Sequence, residues 1–157
     1  MSHATRATRV LDAAGVSYRL HTYDYHAEAG QKGVAAALAL GLPASRVLKS
    51  LMAWVDDHPV CAVIPADQRL SLKKLAAARG GKSARMMDVA EAERLTGYKV
   101  GGISPLGQQR QAPVIIEHSI VSQASVIFNA GQRGLLLELD TVQALALLQA
   151  QTTDLCA

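Results

Sequence analysis

Two apolar runs separated by three polar residues constrain the fold of this chain more than any other feature. The first run is VLKSLMAWV, residues 47–55, and the second is PVCAVIP, residues 59–65. Asp56, Asp57 and His58 lie between the runs, and a short polar connection of this kind is typical of a β-hairpin turn. Because a hairpin pairs its strands antiparallel, the pattern favours a mixed sheet over a purely parallel one.

Helical and strand-like segments are interspersed along the rest of the chain. The first predicted helix is followed by Gly15, which is typical of a helix C-terminus. Two later helices are preceded by Asp88 and Asp140, which are typical N-cap residues, and Glu91 completes a capping box with Asp88. We predict helices over 4–14, 31–40, 70–79, 88–96 and 141–148 and further strands over 17–23, 113–117, 125–129 and 134–139. With 157 residues, half of them hydrophobic, residues 1–157 are expected to form a single mixed α/β (α+β) domain.

Composition narrows the possible classes of function. The longest apolar stretches are shorter than the roughly 18 residues of a membrane span, and MSHATRATRV lacks the apolar centre of a signal peptide. We therefore expect a cytoplasmic protein with no membrane contact. The net charge of +3 and a pI of about 9.0 are mildly basic and do not by themselves indicate nucleic-acid binding.

The cysteines and histidines give no metal or redox signal. Cys61 lies in an apolar run and is expected to be a buried thiol, while Cys156 is expected in a frayed terminus. His21, Asp24 and His26 lack a further well-spaced partner, so we expect no metal ion and no cofactor.

Lys49 is the only charged residue within the apolar run 47–55. Strand alternation places it on one face with Val47, Leu51 and Ala53, so neither face of the strand is expected to be fully solvated. A lysine in this position either extends to the edge of the sheet or occupies a pocket in which its charge has a task.

The segment GGISPLG, residues 101–107, concentrates three glycines and one proline in seven residues. Glycine permits positive φ and a close backbone approach, and proline fixes φ. The segment therefore predicts either a tight turn or a loop whose peptide N–H groups bind a ligand.

A basic cluster lies within LSLKKLAAARGGKSAR, where no acidic residue occurs. Such a cluster could contact phosphates or could form an ordinary solvated helix face. The residues of this cluster that we consider as phosphate contacts are Lys73, Lys74, Lys82 and Arg85.

Five stretches of this sequence resemble the YbaK/EbsC family of aminoacyl-tRNA deacylases, and particularly its YbaK-type Cys-tRNA(Pro) deacylases. They are HTYDY, RVLKSL, LSLKKLA, RLTGYKVGGISPLGQ and GQRGLLLEL. The resemblance implies a barrel-like mixed β-sheet surrounded by helices. It also implies trans-editing, the hydrolysis of the ester that joins a wrong amino acid to a tRNA, with mischarged tRNA(Pro) as substrate and prolyl-tRNA synthetase as a candidate partner.

The same resemblance implies roles for individual residues. The strand lysine of the family matches Lys49, its G-x-x-x-P loop matches 101–105, and the tyrosine of its pocket matches Tyr23. Backbone N–H groups of the loop would hold the ester carbonyl, and the thiolate of a cysteinyl substrate would attack its own carbonyl. The residues assigned to catalysis are Lys49, Gly101, Gly102 and Ile103, and those assigned to substrate binding are Tyr23, Ser50, Ser104, Pro105 and Asn129. Those assigned to tRNA binding are Lys73, Lys74, Lys82 and Arg85 of the basic cluster.

Two positions depart from the YbaK-type pattern, which usually has a serine at Asn129 and an acidic residue at Leu136. An amide can still donate and accept hydrogen bonds, but leucine cannot replace a carboxylate. A catalytically weak binding module, or a deacylase for another amino acid such as alanine, therefore remain as alternatives. Tyr18, Tyr23 and Tyr25 are also expected on one strand face, where they could stack on a terminal adenine or pack in the core.

Overall fold

The computed structural model describes residues 4–26 and 30–157, which form five α-helices and eight β-strands with two short 3-10 helices. The helices are α1 (Arg6–Ala14), α2 (Lys32–Leu40), α3 (Leu72–Ala78), α4 (Val89–Thr96) and α5 (Thr141–Leu148). The strands are β1 (Arg19–Thr22), β2 (Leu48–Val55), β3 (His58–Pro65), β4 (Ala84–Met86), β5 (Val114–Glu117), β6 (Ser125–Gln132), β7 (Leu135–Asp140) and β8 (Gln151–Thr153).

The predicted hairpin is confirmed. Strands β2 and β3 pair antiparallel along their whole length, from Leu48 opposite Pro65 to Val55 opposite His58. Asp56 and Asp57 have φ values of 46° and 69°. Two successive left-handed residues match the right-handed twist of the flanking strands, and aspartate tolerates that conformation better than most residues.

The strands form two sheets in the described part of the chain. One sheet has the order β4-β2-β3-β5-β8, in which β5 runs parallel to both β3 and β8. The other has the antiparallel order β1-β7-β6. A parallel bridge between Val47 and Ile127 links the sheets. The expected mixed α/β fold is confirmed, with two linked sheets in the place of one closed barrel.

Strand β2 lies between two hydrophobic cores. Leu48 and Met52 contribute to the larger core, which Phe128 helps to fill. Ala53 and Val55 point the other way, into a second core beneath α3. This arrangement explains why the sequence of β2 reads as a continuous apolar run rather than an alternating one.

The helix boundaries agree with the sequence prediction to within two residues. Asp88 and Glu91 form the predicted capping box of α4, and Asp140 caps α5. Strands β4 and β8 were not predicted, because each has only three residues, too few to show an alternating pattern, and depends mainly on the strand with which it pairs. No helix in the described ranges combines the length and the apolar character needed to cross a membrane.

The C-terminus is ordered, so the expectation that Cys156 lies in a frayed terminus was wrong. Leu155 is fully buried, and Cys156 forms a β-bridge with Leu70. The Glu117 carboxylate accepts hydrogen bonds from the N–H groups of Leu155 (2.8 Å) and Cys156 (3.3 Å). Lys74 Nζ donates to the Cys156 carbonyl at 2.7 Å.

Candidate active site

A cavity of about 250 Å³ lies between β2, the start of α2 and the glycine loop, the name used here for residues 101–107. Strand β4 pairs with β2 only over Ala53–Val55, so no strand in the described ranges covers the same edge beside Lys49. The sheet is thereby left open where the cavity lies. The lining residues that matter below are Tyr23, Lys49, Ser50, Gly101, Ile103 and Asn129.

Lys49 lines this cavity on the face of β2 that was predicted from alternation. Within the described residues its ammonium group has no hydrogen-bond or ion-pair partner. Burial lowers the pKa of Lys49 from its ordinary value, while the negative charge of Asp67 partly opposes that change. A cation without an acidic partner is available to stabilise negative charge on a ligand.

Gly33 lets α2 begin directly over Lys49. A Cβ atom added at Gly33 would lie 2.9 Å from the Ala66 Cβ and 3.8 Å from the Lys49 Cβ. Any larger residue would therefore require α2 or the chain at Ala66 to shift. This requirement could not be predicted from sequence, since the contact with Ala66 depends on the tertiary fold.

The backbone N–H groups of the glycine loop differ in whether they already form a hydrogen bond within the protein. The Gly102 N–H donates to the Lys99 carbonyl at 2.8 Å, which closes a turn. The assignment of Gly102 as a carbonyl-binding donor is therefore wrong for this conformation. The N–H groups of Gly101 and Ile103, both cavity residues, have no partner among the described residues and could bind an oxyanion.

Asn129 fixes the loop to strand β6. Its Nδ2 donates to the Gly101 carbonyl at 3.1 Å, and its Oδ1 accepts from the N–H groups of Gly131 (2.7 Å) and Gln132 (3.1 Å). The side chain thus holds both the loop and the irregular end of β6. Asn129 also lines the cavity, so its predicted position at the site agrees with the structure.

Tyr23 and Ser50 complete the polar part of the cavity. Burial raises the pKa of Tyr23, which a hydrogen bond from the Gly134 backbone partly opposes, so its hydroxyl stays protonated at neutral pH. The Ser50 Oγ is buried and, in the described chain, has only the weak partner of the Cys61 sulfur. Both hydroxyl groups therefore keep hydrogen-bonding capacity.

Ser104 and Pro105 do not line the cavity, although both were assigned to substrate binding. Ser104 is fully buried, its Oγ accepts from the Leu106 N–H at 3.2 Å, and its carbonyl accepts from Gln108. The Pro105 carbonyl accepts from Gln111 at 3.0 Å. In this structure the two residues instead form hydrogen bonds with the residues that follow them in the chain.

Leu136 closes one side of the cavity. It is 3% exposed and packs in an apolar cluster with Ala36 and Val47. A carboxylate at this position would be buried among apolar groups, which costs free energy, whereas leucine packs against them. The cavity wall formed by Leu136 and its neighbours is therefore apolar.

The basic cluster is not a free patch of positive charge. Lys74 pairs with Asp154 at 2.8 Å, and Arg85 lies 3.7 Å from Glu91. These acids come from outside the cluster in sequence, so inspection of the cluster could not reveal them. Lys73 and Lys82 are exposed, and none of the four residues lines the cavity. Their contact with tRNA stays a prediction.

The three tyrosines do not share a strand face, so that expectation was wrong. Strand β1 ends at Thr22, Tyr23 turns into the cavity, and the Tyr18 hydroxyl donates to Asp12 at 2.9 Å. Tyr25 packs against Gly101, where an added Cβ would lie 2.9 Å from the ring Cε2. Sequence reasoning missed this contact.

No group of three potential metal-binding side chains occurs among residues 4–26 and 30–157. His21 instead lies 2.9 Å from the Glu138 carboxylate on the antiparallel sheet. Since Ser125 also donates to Glu138 at 2.6 Å, these side chains form a surface network that holds the three strands of the sheet together.

The architecture is that of an α/β protein with a small cavity beside the glycine loop. Lys32 and Lys49 line this cavity, together with backbone N–H groups that have no partner among the described residues. A solved structure described as a "putative trans-editing enzyme for prolyl tRNA synthetase" has the same fold, with a TM-score of 0.84, 24% identity and 99% of each chain covered. At that identity the likeness concerns the fold alone.

The chain belongs to the aminoacyl-tRNA editing domain family, whose model matches residues 28–147. It is 33% identical over 152 residues to "Putative Cys-tRNA(Pro)/Cys-tRNA(Cys) deacylase EbsC" of Enterococcus faecalis, covering 96% of this chain and 92% of that protein. It is also 26% identical over 93 residues to proline–tRNA ligase of Lactobacillus helveticus, covering 59% of this chain and 16% of the ligase. These similarities confirm the expected family and its enzyme class, aminoacyl-tRNA deacylase.

Proposed function

We propose that this protein hydrolyses the aminoacyl ester of mischarged tRNA(Pro), with Cys-tRNA(Pro) as its first substrate. The observation that carries the proposal is the Lys49 ammonium group, which lies in a cavity beside the N–H groups of Gly101 and Ile103. Among residues 4–26 and 30–157, neither this ammonium group nor these two N–H groups have a hydrogen-bond partner. The similarity to EbsC and to a segment of a proline–tRNA ligase supports the choice of amino acid and tRNA. Prolyl-tRNA synthetase is the corresponding candidate partner.

An aminoacyl ester is already activated, so the site needs no strong protein nucleophile. When the carbonyl carbon becomes tetrahedral, negative charge develops on its oxygen. The Gly101 and Ile103 N–H groups and the Lys49 ammonium group would stabilise this oxyanion without reorganising, since the loop is fixed by Asn129. Tyr23 and Ser50 would orient the terminal ribose or the amino acid through their free hydroxyl capacity.

With a cysteinyl substrate, the attacking group would be the thiolate of the substrate itself. The sulfur forms a bond to the carbonyl carbon, the bond from that carbon to the ribose oxygen breaks, and the ribose oxygen takes up a proton. The products are a cyclic thioester of cysteine, which water then opens, and uncharged tRNA. Proximity replaces a protein nucleophile in this step.

Alanine is the second candidate amino acid. The apolar wall at Leu136 and the neighbouring Ala36 favour a small uncharged side chain. An alanyl ester would need a bound water as the nucleophile, because its side chain cannot attack. A binding module without turnover is the further alternative, which the same experiment distinguishes.

The test is a deacylation assay with tRNA(Pro) charged separately with cysteine, alanine, serine and proline. We expect Cys-tRNA(Pro) to be hydrolysed fastest and correctly charged Pro-tRNA(Pro), the matched control, to remain near its spontaneous rate. Faster hydrolysis of Ala-tRNA(Pro) would assign the enzyme to alanine. Binding of all four without hydrolysis above background would contradict an editing activity.

A further inference from the structure

Arg133, in the turn between β6 and β7, lies against the glycine loop. Its Nε donates to the Val100 carbonyl at 2.9 Å, and its guanidinium carbon lies 5.1 Å from the centre of the Tyr25 ring. Both partners are uncharged. Arg133 therefore differs from Lys74 and Arg85, whose charges are balanced by nearby carboxylates.

The guanidinium group is held in place while its other donors stay free. Arg133 is exposed, and its Nη groups have no partner among the described residues. The bond to Val100 and the stacking on Tyr25 already restrict the side-chain rotamers. An anion that binds Arg133 therefore encounters a planar, pre-arranged pair of donors, and little additional side-chain entropy is lost.

This fixed cation lies next to the rim of the cavity. Val100, which accepts the Arg133 bond, lines the cavity, as does Gly101, which packs against the Tyr25 ring. The backbone of the turn also approaches the loop closely, since a Cβ added at Gly102 would lie 2.9 Å from the Arg133 nitrogen. A group bound at Arg133 would thus be held at a defined position relative to the loop.

We propose that Arg133 binds the phosphodiester on the 5′ side of the terminal adenosine while the aminoacyl ester occupies the cavity. The inference rests on the proposed function, in which the ester is attached to the terminal ribose. The phosphate of the same nucleotide is only a few bonds from that ester, so it must lie near the cavity rim. A phosphodiester offers two oxygens that match the paired donors of a guanidinium group.

The experiment compares two small substrates that differ in this phosphate. One is the cysteinyl ester of adenosine, which has no phosphate, and the other is the cysteinyl ester of the CpCpA trinucleotide. KM and kcat are measured for wild type, Arg133→Gln, Arg133→Lys and the matched control Arg9→Gln, which removes one exposed charge from α1. Thermal unfolding establishes that each variant is folded.

We expect Arg133→Gln to raise KM for the trinucleotide ester about tenfold and to leave KM for the adenosine ester within about twofold. Arg133→Lys, which keeps the charge but loses the paired donors, should give an intermediate KM for the trinucleotide ester. Arg9→Gln should match wild type on both esters. Equal changes in KM for the two esters, or no change for either, would overturn the assignment.

Failure of the proposed function is distinguishable from failure of this inference. If wild type hydrolyses neither ester nor Cys-tRNA(Pro), the deacylase proposal is wrong. The Arg133 site is then decided by calorimetric titration with the uncharged CpCpA trinucleotide. Binding about tenfold weaker in Arg133→Gln than in wild type would support the site, and equal binding would overturn it.

Discussion

The Nδ2 atom of Asn129 donates a hydrogen bond to the carbonyl oxygen of Gly101 at 3.1 Å. This contact joins strand β6 to the glycine loop, of which Gly101 and Ile103 line the cavity. The other end of the same amide accepts from the Gly131 and Gln132 N–H groups. The Asn129 side chain therefore ties the position of the loop to the irregular end of β6.

Replacing Asn129 should reduce turnover through the position of the loop. Asn129→Asp keeps the acceptor for Gly131 and Gln132, but it replaces the donor to Gly101 with a carboxylate oxygen that repels the Gly101 carbonyl. We expect kcat to fall about tenfold with only a small loss of stability, since one hydrogen bond contributes about 1 kcal/mol. Asn129→Ala should lose a similar factor in kcat and also about 1–3 kcal/mol of unfolding free energy, because two N–H groups lose their acceptor. Wild-type turnover by folded Asn129→Asp would show that the bond does not position the loop.

Gly101→Ala should damage both stability and turnover, because the new methyl group would overlap the Tyr25 ring rather than enter open space. The φ of 92° adds backbone strain for any residue with a Cβ. Chemical denaturation of Gly101→Ala, Tyr25→Ala and the double variant measures the coupling between the two positions. The double variant should be more stable than the sum of the single effects predicts. Additive effects would contradict a direct clash.

Local features of this fold could be predicted from sequence, and long-range ones could not. Asp88 caps α4 through a bond to a residue three positions away, and the Asp56-Asp57 turn depends on adjacent residues. The Asn129–Gly101 contact, by contrast, joins residues 28 positions apart, and Arg133 contacts Val100 across 33 positions.

The residues of the candidate site show the same difference between local and long-range features. Lys49 was detectable because a charge interrupts an apolar strand, and alternation gave the face on which it lies. Gly102 was misassigned because its turn bond to Lys99 depends on the folded shape of the loop. From sequence, Arg133 could be recognised only as a residue of a hairpin turn and Tyr25 only as one of three tyrosines, since their contacts with Val100 and Gly101 depend on tertiary packing.

Stability at acidic pH should depend on Glu117. Desolvation raises the pKa of its carboxyl group, but hydrogen bonds from the Leu155 and Ser119 N–H groups outweigh that effect and lower the pKa to about 2. Because the folded pKa lies below the unfolded one, Glu117 stabilises the fold above about pH 4.5, and this contribution disappears as pH falls toward 2.

The measurement is the unfolding free energy of wild type and Glu117→Gln from pH 7 to pH 3. We expect the variant to be about 1–3 kcal/mol less stable at neutral pH, with the difference shrinking as pH falls. The matched control is Asp57→Asn, since Asp57 is an exposed turn residue. A difference between wild type and Glu117→Gln that is constant over this range would exclude the proposed ionisation.

The protein's own cysteines should be dispensable for deacylation. Burial raises the pKa of Cys61 to about 12 and that of Cys156 to about 11, so neither thiol is ionised at neutral pH. A variant with alanine at both positions should deacylate Cys-tRNA(Pro) at the wild-type rate, with a stability loss of about 1 kcal/mol from the buried Cys61 position. Loss of activity in the folded variant would mean that a protein thiol takes part.

The same deacylation assay distinguishes attack by the substrate's own thiol from attack by a bound water. Ser-tRNA(Pro), which is similar in size but has a weaker nucleophile, should react about a hundredfold more slowly than Cys-tRNA(Pro), because a well-oriented intramolecular attack contributes several kcal/mol. Equal rates for the two substrates would exclude assistance by the substrate thiol and would assign the attack to a bound water.

The central claim is that the Lys49 charge acts on the ester in the cavity, and single-turnover deacylation of Cys-tRNA(Pro) by Lys49→Met tests it most directly. Methionine preserves the length and packing of the side chain but removes the cation, so thermal unfolding should stay close to that of wild type. Lys32→Met, which removes a neighbouring charge from the cavity lining, serves as the comparison. We predict that Lys49→Met lowers the first-order rate about a hundredfold, and more than Lys32→Met does. A folded Lys49→Met protein that deacylates at the wild-type rate would contradict the account.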